Sequence, residues 1–187
     1  MPSLMMVCAG AAGALSVLNL LLTVAVIRRL RGYGGLSAVP AGPGAENVFQ
    51  VMRAAGEQVG AFRARTTWGG PVGQEFLADG TVLFGAFAQG CRACEERLPE
   101  FLELAKVYPG SGAGVLVLLV GAERDLEAKR AALEPVATVV IEEMPGGPVG
   151  RAFGVTGYPA MALVDSGGLV RVSGTTVRDV MTAGAGV

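Results

Sequence analysis

Histidine is absent from the 187-residue chain. That absence excludes Ser-His-Asp and Cys-His catalysis, any histidine-ligated metal or haem, and a histidine pH switch. Cysteine is scarce: three residues are too few for a disulfide-dense miniature scaffold. Charge is sparse too, at 17% of residues, and the 15 Lys+Arg nearly balance the 16 Asp+Glu. A broadly basic nucleic-acid surface is therefore not expected. What the chain does hold is apolar side chains, 51% of the total, too many for a disordered polymer. Its 29 glycines are about twice the usual share. The length suits one ordinary domain plus a tail.

The tail is at the N-terminus. No side chain from Met1 to Ile27 is charged, and Leu4–Ile27 is mostly Leu, Val, Ala and Met. As a helix rising ~1.5 Å per residue, this stretch is about 36 Å long, against roughly 30 Å of bilayer hydrocarbon. Its polar side chains, Ser16, Asn19 and Thr23, are tolerable in a span, where they bond back to the helix or to a neighbour. A buried helix of a soluble core rarely lacks a charged face for so long. A cleaved signal peptide has a shorter apolar run, with its basic residues in front and a small-residue cleavage site behind. Here Arg28, Arg29 and Arg31 follow the run and no A-x-A pattern sits directly behind it. Met5-Met6-Val7 is a poor lipobox for Cys8, which reads as a small apolar residue within the span. The expectation is an uncleaved single-pass anchor over residues 1–31, in contact with the lipid bilayer.

Residues 32–45 form a Gly/Pro-rich tether without acid or base, and residues 46–187 form the domain. From residue 46 onward the chain has 12 basic and all 16 acidic residues, a net charge of −4. Val48, Val51 and Met52 have helical spacing, which predicts a short opening helix, and Trp68-Gly69-Gly70-Pro71 breaks what precedes it. Strand patterns follow at Thr81–Phe87, Gly114–Val120 and Ala137–Ile141. Between them lie helix patterns at Cys94–Val107, with Leu98, Phe101, Leu102 and Ala105 as its apolar stripe, and at Glu123–Leu133. Pro148–Phe153 fits one or two helical turns, Ala160–Val164 and Leu169–Val172 a hairpin across Asp165-Ser166-Gly167-Gly168, and Thr175–Thr182 a closing helix. The alternation predicts an α/β domain with a mixed sheet and helices on both faces.

Cys91-Arg92-Ala93-Cys94 lies between the first strand pattern and the helix after it. Two cysteines three apart at a helix start can close a small disulfide ring. The first then meets unpaired N–H groups and the positive end of the helix dipole, which favour thiolate, and Arg92 adds positive charge. Cys91 is thus the expected attacking thiol and Cys94 the one that resolves the mixed disulfide. Half of a zinc site is the competing explanation, but four-coordinate zinc needs two more ligands and only Cys8 remains. Two inert buried cysteines are the other. Strand, CxxC and helix in succession favour redox chemistry, with no metal and no cofactor beyond the cysteine pair.

Leu83–Phe101, LFGAFAQGCRACEERLPEF, resembles the active-site strand, motif and helix of thioredoxin-like proteins, with Pro99 where that superfamily kinks its active-site helix. Ala152–Arg171, AFGVTGYPAMALVDSGGLVR, resembles the segment with the cis-proline, the next strand and the hairpin. The resemblance implies a cis Tyr158–Pro159 bond facing the disulfide, and substrate backbone bound by Gly157, Tyr158 and Pro159. Together with the anchor and spacer, the chain is similar to membrane-tethered TlpA-type and MauD-type thiol-disulfide proteins over about Pro71–Met181. Three positions depart from the pattern. Gly90 replaces the usual aromatic residue before the first cysteine. Gly85 stands where some relatives place a buried acid, so that deprotonation of Cys94 falls to water or a partner's group. Tyr158 replaces a small or polar residue before the proline.

The implied function is thiol-disulfide exchange with cysteine-bearing proteins, in the service of another enzyme's maturation. The implied partners are a protein thiol or disulfide and an upstream redox donor or acceptor in the membrane, with no nucleic acid. Arg92, Ala93 and Pro99 would tune the motif; the residues do not set the redox direction. A thiol peroxidase on the same fold is the rival enzyme, but its chemistry wants Thr and Pro close before the cysteine, and Phe87-Ala88-Gln89-Gly90 supplies neither. A non-catalytic assembly factor is the rival outside enzymes. Copper delivery is disfavoured, because two thiolates without histidine or a methionine cluster make a thin ligand set. The arginine flank favours a cytoplasmic domain, whereas the resemblance implies an extracytoplasmic one, where disulfides persist; the expectation leans to the outer face.

Overall fold

The computed structural model describes residues 50–110 and 112–184. The expected anchor and tether lie outside them. Among the described residues, no helix is long and apolar enough to cross a membrane.

Among the described residues, seven strands and four α-helices are formed. Strand β1 (Arg63–Arg65) pairs antiparallel with β2 (Pro71–Gly73). Then come β3 (Val82–Ala88), α1 (Arg92–Val107), β4 (Gly112–Val120), α2 (Glu127–Leu133), β5 (Ala137–Glu142), α3 (Pro148–Ala152), β6 (Ala160–Val164), β7 (Val170–Gly174) and α4 (Val177–Gly184). The main sheet has the order β5-β4-β3-β6-β7. Strands β3, β4 and β5 are parallel, while β6 and β7 run antiparallel beside β3. The parallel pairs β3–β4 and β4–β5 need crossover connections, here through α1 and α2, and the tight Asp165–Gly168 turn sets β7 antiparallel to β6. Asp165 holds that turn by accepting from the N–H groups of Gly167 and Leu169 at 3.0 and 2.9 Å.

Side-chain alternation divides the core between the two faces of the sheet. Leu83 and Phe87 of β3 join Val115, Val117 and Leu119 of β4 beneath α1, α2 and α4. Phe84 and Ala86 join Leu116, Leu118 and Val120 on the other face, beneath α3 and the segment from Met52 to Phe62. There Phe84 stacks on Phe153 with centroids 3.8 Å apart. On the first face Phe101 meets Phe87 edge-on at 5.2 Å. Burying both faces of the central strands explains their near-continuous apolar sequences.

Two expectations need correction. Residues 50–62 contain no helix. Val51 and Met52 are spent instead on tertiary contacts: Met52 is buried, the Val51 carbonyl accepts from Thr156 and Gly157, and Arg53 N–H donates to the Phe153 carbonyl. The predicted helix over Glu123–Leu133 is broken, with a 3-10 turn at Glu123–Asp125 before α2 begins. The pair β1–β2 was not anticipated. Its connection continues onto the edge of β5, where Thr67 N–H bonds the Val139 carbonyl at 2.9 Å and Thr66 bridges Val140.

Candidate functional site

The site is built at one end of the sheet. Strand β3 ends at Ala88, and Gly90, at φ +67°, turns the chain into α1. The left-handed φ suits glycine, and nothing crowds the place a side chain would take. Cys91 is the N-cap of α1, in extended conformation, and its Sγ accepts the backbone N–H of Cys94 at 3.1 Å. The Cys91 carbonyl takes the N–H groups of Cys94 and Glu95 at 3.0 and 3.2 Å. Cys91 and Cys94 are disulfide-bonded, with Cα atoms 5.2 Å apart. Cys94 is fully buried and Cys91 partly exposed, so an incoming group meets Cys91 first.

The other motif positions are exposed. Arg92 stands in solvent and pairs with Glu96 at 3.0 Å, which offsets the charge it would lend to a thiolate. Ala93 is an exposed residue of the first turn. Helix α1 continues through Pro99, whose missing N–H leaves the Glu95 carbonyl without its usual partner.

Tyr158–Pro159 is a cis peptide. Ala160, the next residue, pairs with Ala86 two residues before the end of β3. Antiparallel register therefore brings Pro159 and the cysteines to the same end of the sheet. Pro159 is buried; Gly157 and Tyr158 are partly exposed. A β-carbon on Gly157 would lie 2.9 Å from Val51 Cγ1, so the close approach of residue 51 requires glycine there. The Tyr158 ring packs against the core on both faces of the sheet. Its hydroxyl is buried without a hydrogen-bond partner, and burial, followed by the negative charge of Glu142, holds its pKa above the usual phenol value.

Gly85 has a positive reason of its own. A β-carbon there would lie 2.6 Å from the Phe101 ring, so the position that resembles an acid site is filled by an aromatic ring from α1. Sequence reasoning missed the buried acid the domain does have. Glu142, 8% exposed, ends β5 and accepts Val149 N–H at 2.6 Å and Gly150 N–H at 3.4 Å. It caps α3 from outside the helix, and its sequence signal was only an acid at the close of an apolar strand. Among the described residues, no group of three or more His, Cys, Asp or Glu side chains could hold a metal ion.

No protein-family model matches the sequence, and neither does any curated protein. Solved structures do match. The chain is similar to a DsbF homologue from Corynebacterium diphtheriae, at 16% identity and TM-score 0.57, over 79% of this chain and 97% of that one. It is also similar to the thioredoxin domain of a thiol-disulfide oxidoreductase from Bacteroides vulgatus, at 19% identity and TM-score 0.56, over 71% and 96%. A thiol:disulfide interchange protein of the thioredoxin family from Chlorobium tepidum matches at 19% identity and TM-score 0.51, over 68% and 91%. At these identities the likeness establishes the fold, which is thioredoxin-like.

Proposed function

We propose that this protein is a thiol-disulfide oxidoreductase that exchanges its Cys91–Cys94 pair with cysteines of client proteins, tethered to a membrane by residues 1–31. The observation that carries the proposal is a CxxC disulfide at a helix N-terminus, its first sulfur partly exposed and its second buried, at the same end of the sheet as the cis Tyr158–Pro159 bond. Two of the similar solved structures, the thiol-disulfide oxidoreductase domain from Bacteroides vulgatus and the thiol:disulfide interchange protein from Chlorobium tepidum, support it.

The chemistry follows from the two environments. In the reduced form, the Cys91 thiolate is stabilised by the helix N-terminus and attacks one sulfur of a client disulfide. The client S–S bond breaks, a mixed disulfide forms, and the client's other sulfur leaves as a thiolate that takes a proton. The Cys94 thiol loses its proton and attacks Cys91 Sγ, which closes the Cys91–Cys94 bond and releases the second client thiol. Two electrons pass to the client, with one proton from Cys94 and one from water. The reverse sequence oxidises a client dithiol, and the reduction potential of the partner couple sets the direction. Gly157, Tyr158 and Pro159 offer the backbone and ring surface against which the client segment docks, and Arg92, Ala93 and Pro99 tune the motif. No cofactor enters these steps.

Insulin reduction, or oxidation of a dithiol peptide, should require both Cys91 and Cys94; a Cys91→Ser/Cys94→Ser variant that turns over like the parent overturns the proposal. On the same reading the domain faces an oxidising compartment, the client is a protein under maturation, and the upstream couple lies in the membrane. Protease digestion of the domain in intact cells or spheroplasts tests the topology; digestion only in inverted vesicles places the domain inside.

A further inference from the structure

We infer that residues 121–133, the turn after β4 together with α2, form a positioning element that grips the Cys91–Cys94 loop on both flanks, with Gln89 and Lys129 as its contacts. The role assigned to it rests on the exchange activity proposed above.

The upstream grip is Gln89, two residues before Cys91. Its backbone N–H donates to the Val120 carbonyl at 2.8 Å. Its side-chain Oε1 accepts Ala122 N–H at 3.1 Å, and its Nε2 donates to Asp125 Oδ2 at 2.8 Å. The turn comes so close that a β-carbon on Gly121, at φ +141°, would lie 2.6 Å from Gln89 Cβ. Three hydrogen bonds thus hold the residue before Gly90, whose own surroundings are open. The downstream grip is Lys129 of α2, which forms an ion pair with Glu95, the residue after Cys94 in the first turn of α1. The Lys129 side chain is only 11% exposed, so its ammonium is held against Glu95 by packing around its stem.

Between the two grips Cys91 Sγ caps the helix. The cap N–H and the helix dipole favour its thiolate. The carboxylate of Glu95 opposes it, and Lys129 offsets that carboxylate. The other charged or titratable groups on the elements around the loop include Cys94, Arg92 and Glu96 on α1, Arg124 and Asp125 on the turn, paired with each other at 3.7 Å, and Tyr158, whose pKa the charge of Glu142 helps to raise. Arg92 is already paired with Glu96. Lys129 is therefore the cation that balances the first turn, and Gln89 keeps the sulfur in the cap position. Both are positioning residues that act through Cys91.

The test is the pH profile of iodoacetamide alkylation of Cys91 in the reduced full-length protein. Peptide mapping reads it directly, because trypsin cuts after Arg92 and separates the two cysteines. Lys129→Met keeps the aliphatic stem and should raise the midpoint by about half a pH unit, as Gln89→Ala should by its own route. Adding Glu95→Gln to Lys129→Met should restore the parental midpoint. A purely structural role for Lys129 predicts no such rescue. A parental midpoint in either single variant, or failure of the double variant to restore it, overturns the proposal. Absence of parental turnover with insulin, alongside the expected shifts, would count against the exchange reading and leave the grip standing.

Discussion

At the scale of single residues, the proposed exchange divides its work between two sulfurs in different surroundings. Serine at Cys91 should abolish the first attack, whereas serine at Cys94 should leave the first attack and block release, so that only the Cys94→Ser variant accumulates a mixed disulfide on non-reducing gels. Gly85 carries a second prediction. Gly85→Ala puts a methyl group into the Phe101 ring and should cost about 1–3 kcal/mol, read as a lower midpoint in urea; Phe101→Leu in the same chain should recover part of it. Tyr158 carries a third. A phenol whose pKa in the folded state lies above its unfolded value adds stability that is complete below about pH 10 and is lost as the pH climbs through the folded value. Tyr108 is raised in the same direction by burial, so both rings contribute. Tyr158→Phe should therefore flatten the alkaline limb of a pH–stability curve. At neutral pH it should cost little, because the hydroxyl it removes has no partner.

At the scale of elements, helix ends matter more than helix lengths. Helix α3 has five residues and no side-chain cap of its own; Glu142 supplies the acceptor from the end of β5. Glu142→Ala should strand two buried N–H donors and cost about 1–3 kcal/mol by denaturant titration. The Asp179 carboxylate accepts Thr175 and Thr176 N–H at the start of α4, and Thr176 Oγ1 accepts Asp179 N–H in return. Strands β3 to β7 were visible in the sequence, because burial on both faces leaves long apolar runs and the turns between them need Gly, Pro or Asp. Strands β1 and β2 were not visible. Three residues give no periodicity, and these two are held by each other and by the edge of β5, which lies more than sixty residues away from part of what it supports. The apolar spacing misled at Val51 and Met52 for a related reason: side chains committed to tertiary contacts with distant loops can share the spacing of a helix face.

At the scale of the whole molecule, the proposed tether confines encounters to partners that present cysteines near the same membrane. The Cys94→Ser variant expressed in full length should retain a cysteine-bearing client covalently on Cys91, released by dithiothreitol and identifiable by mass spectrometry; no adduct dependent on Cys91 would argue against a protein client. The linear chain already announced an α/β domain, a strand–CxxC–helix unit and the tyrosine–proline segment, because each of these is local: hydrophobic period, turn residues and short spacings are written within a few residues of one another. Four other matters waited on the folded chain. They are the ring of Phe101 occupying the place of an acid, the charge of Glu142 acting on Tyr158, the support of Gly157 by Val51, and the hold of Gln89 and Lys129 on the cysteine loop. Each depends on which distant residues the sheet brings together, and that is set by strand order and register, which local patterns leave open.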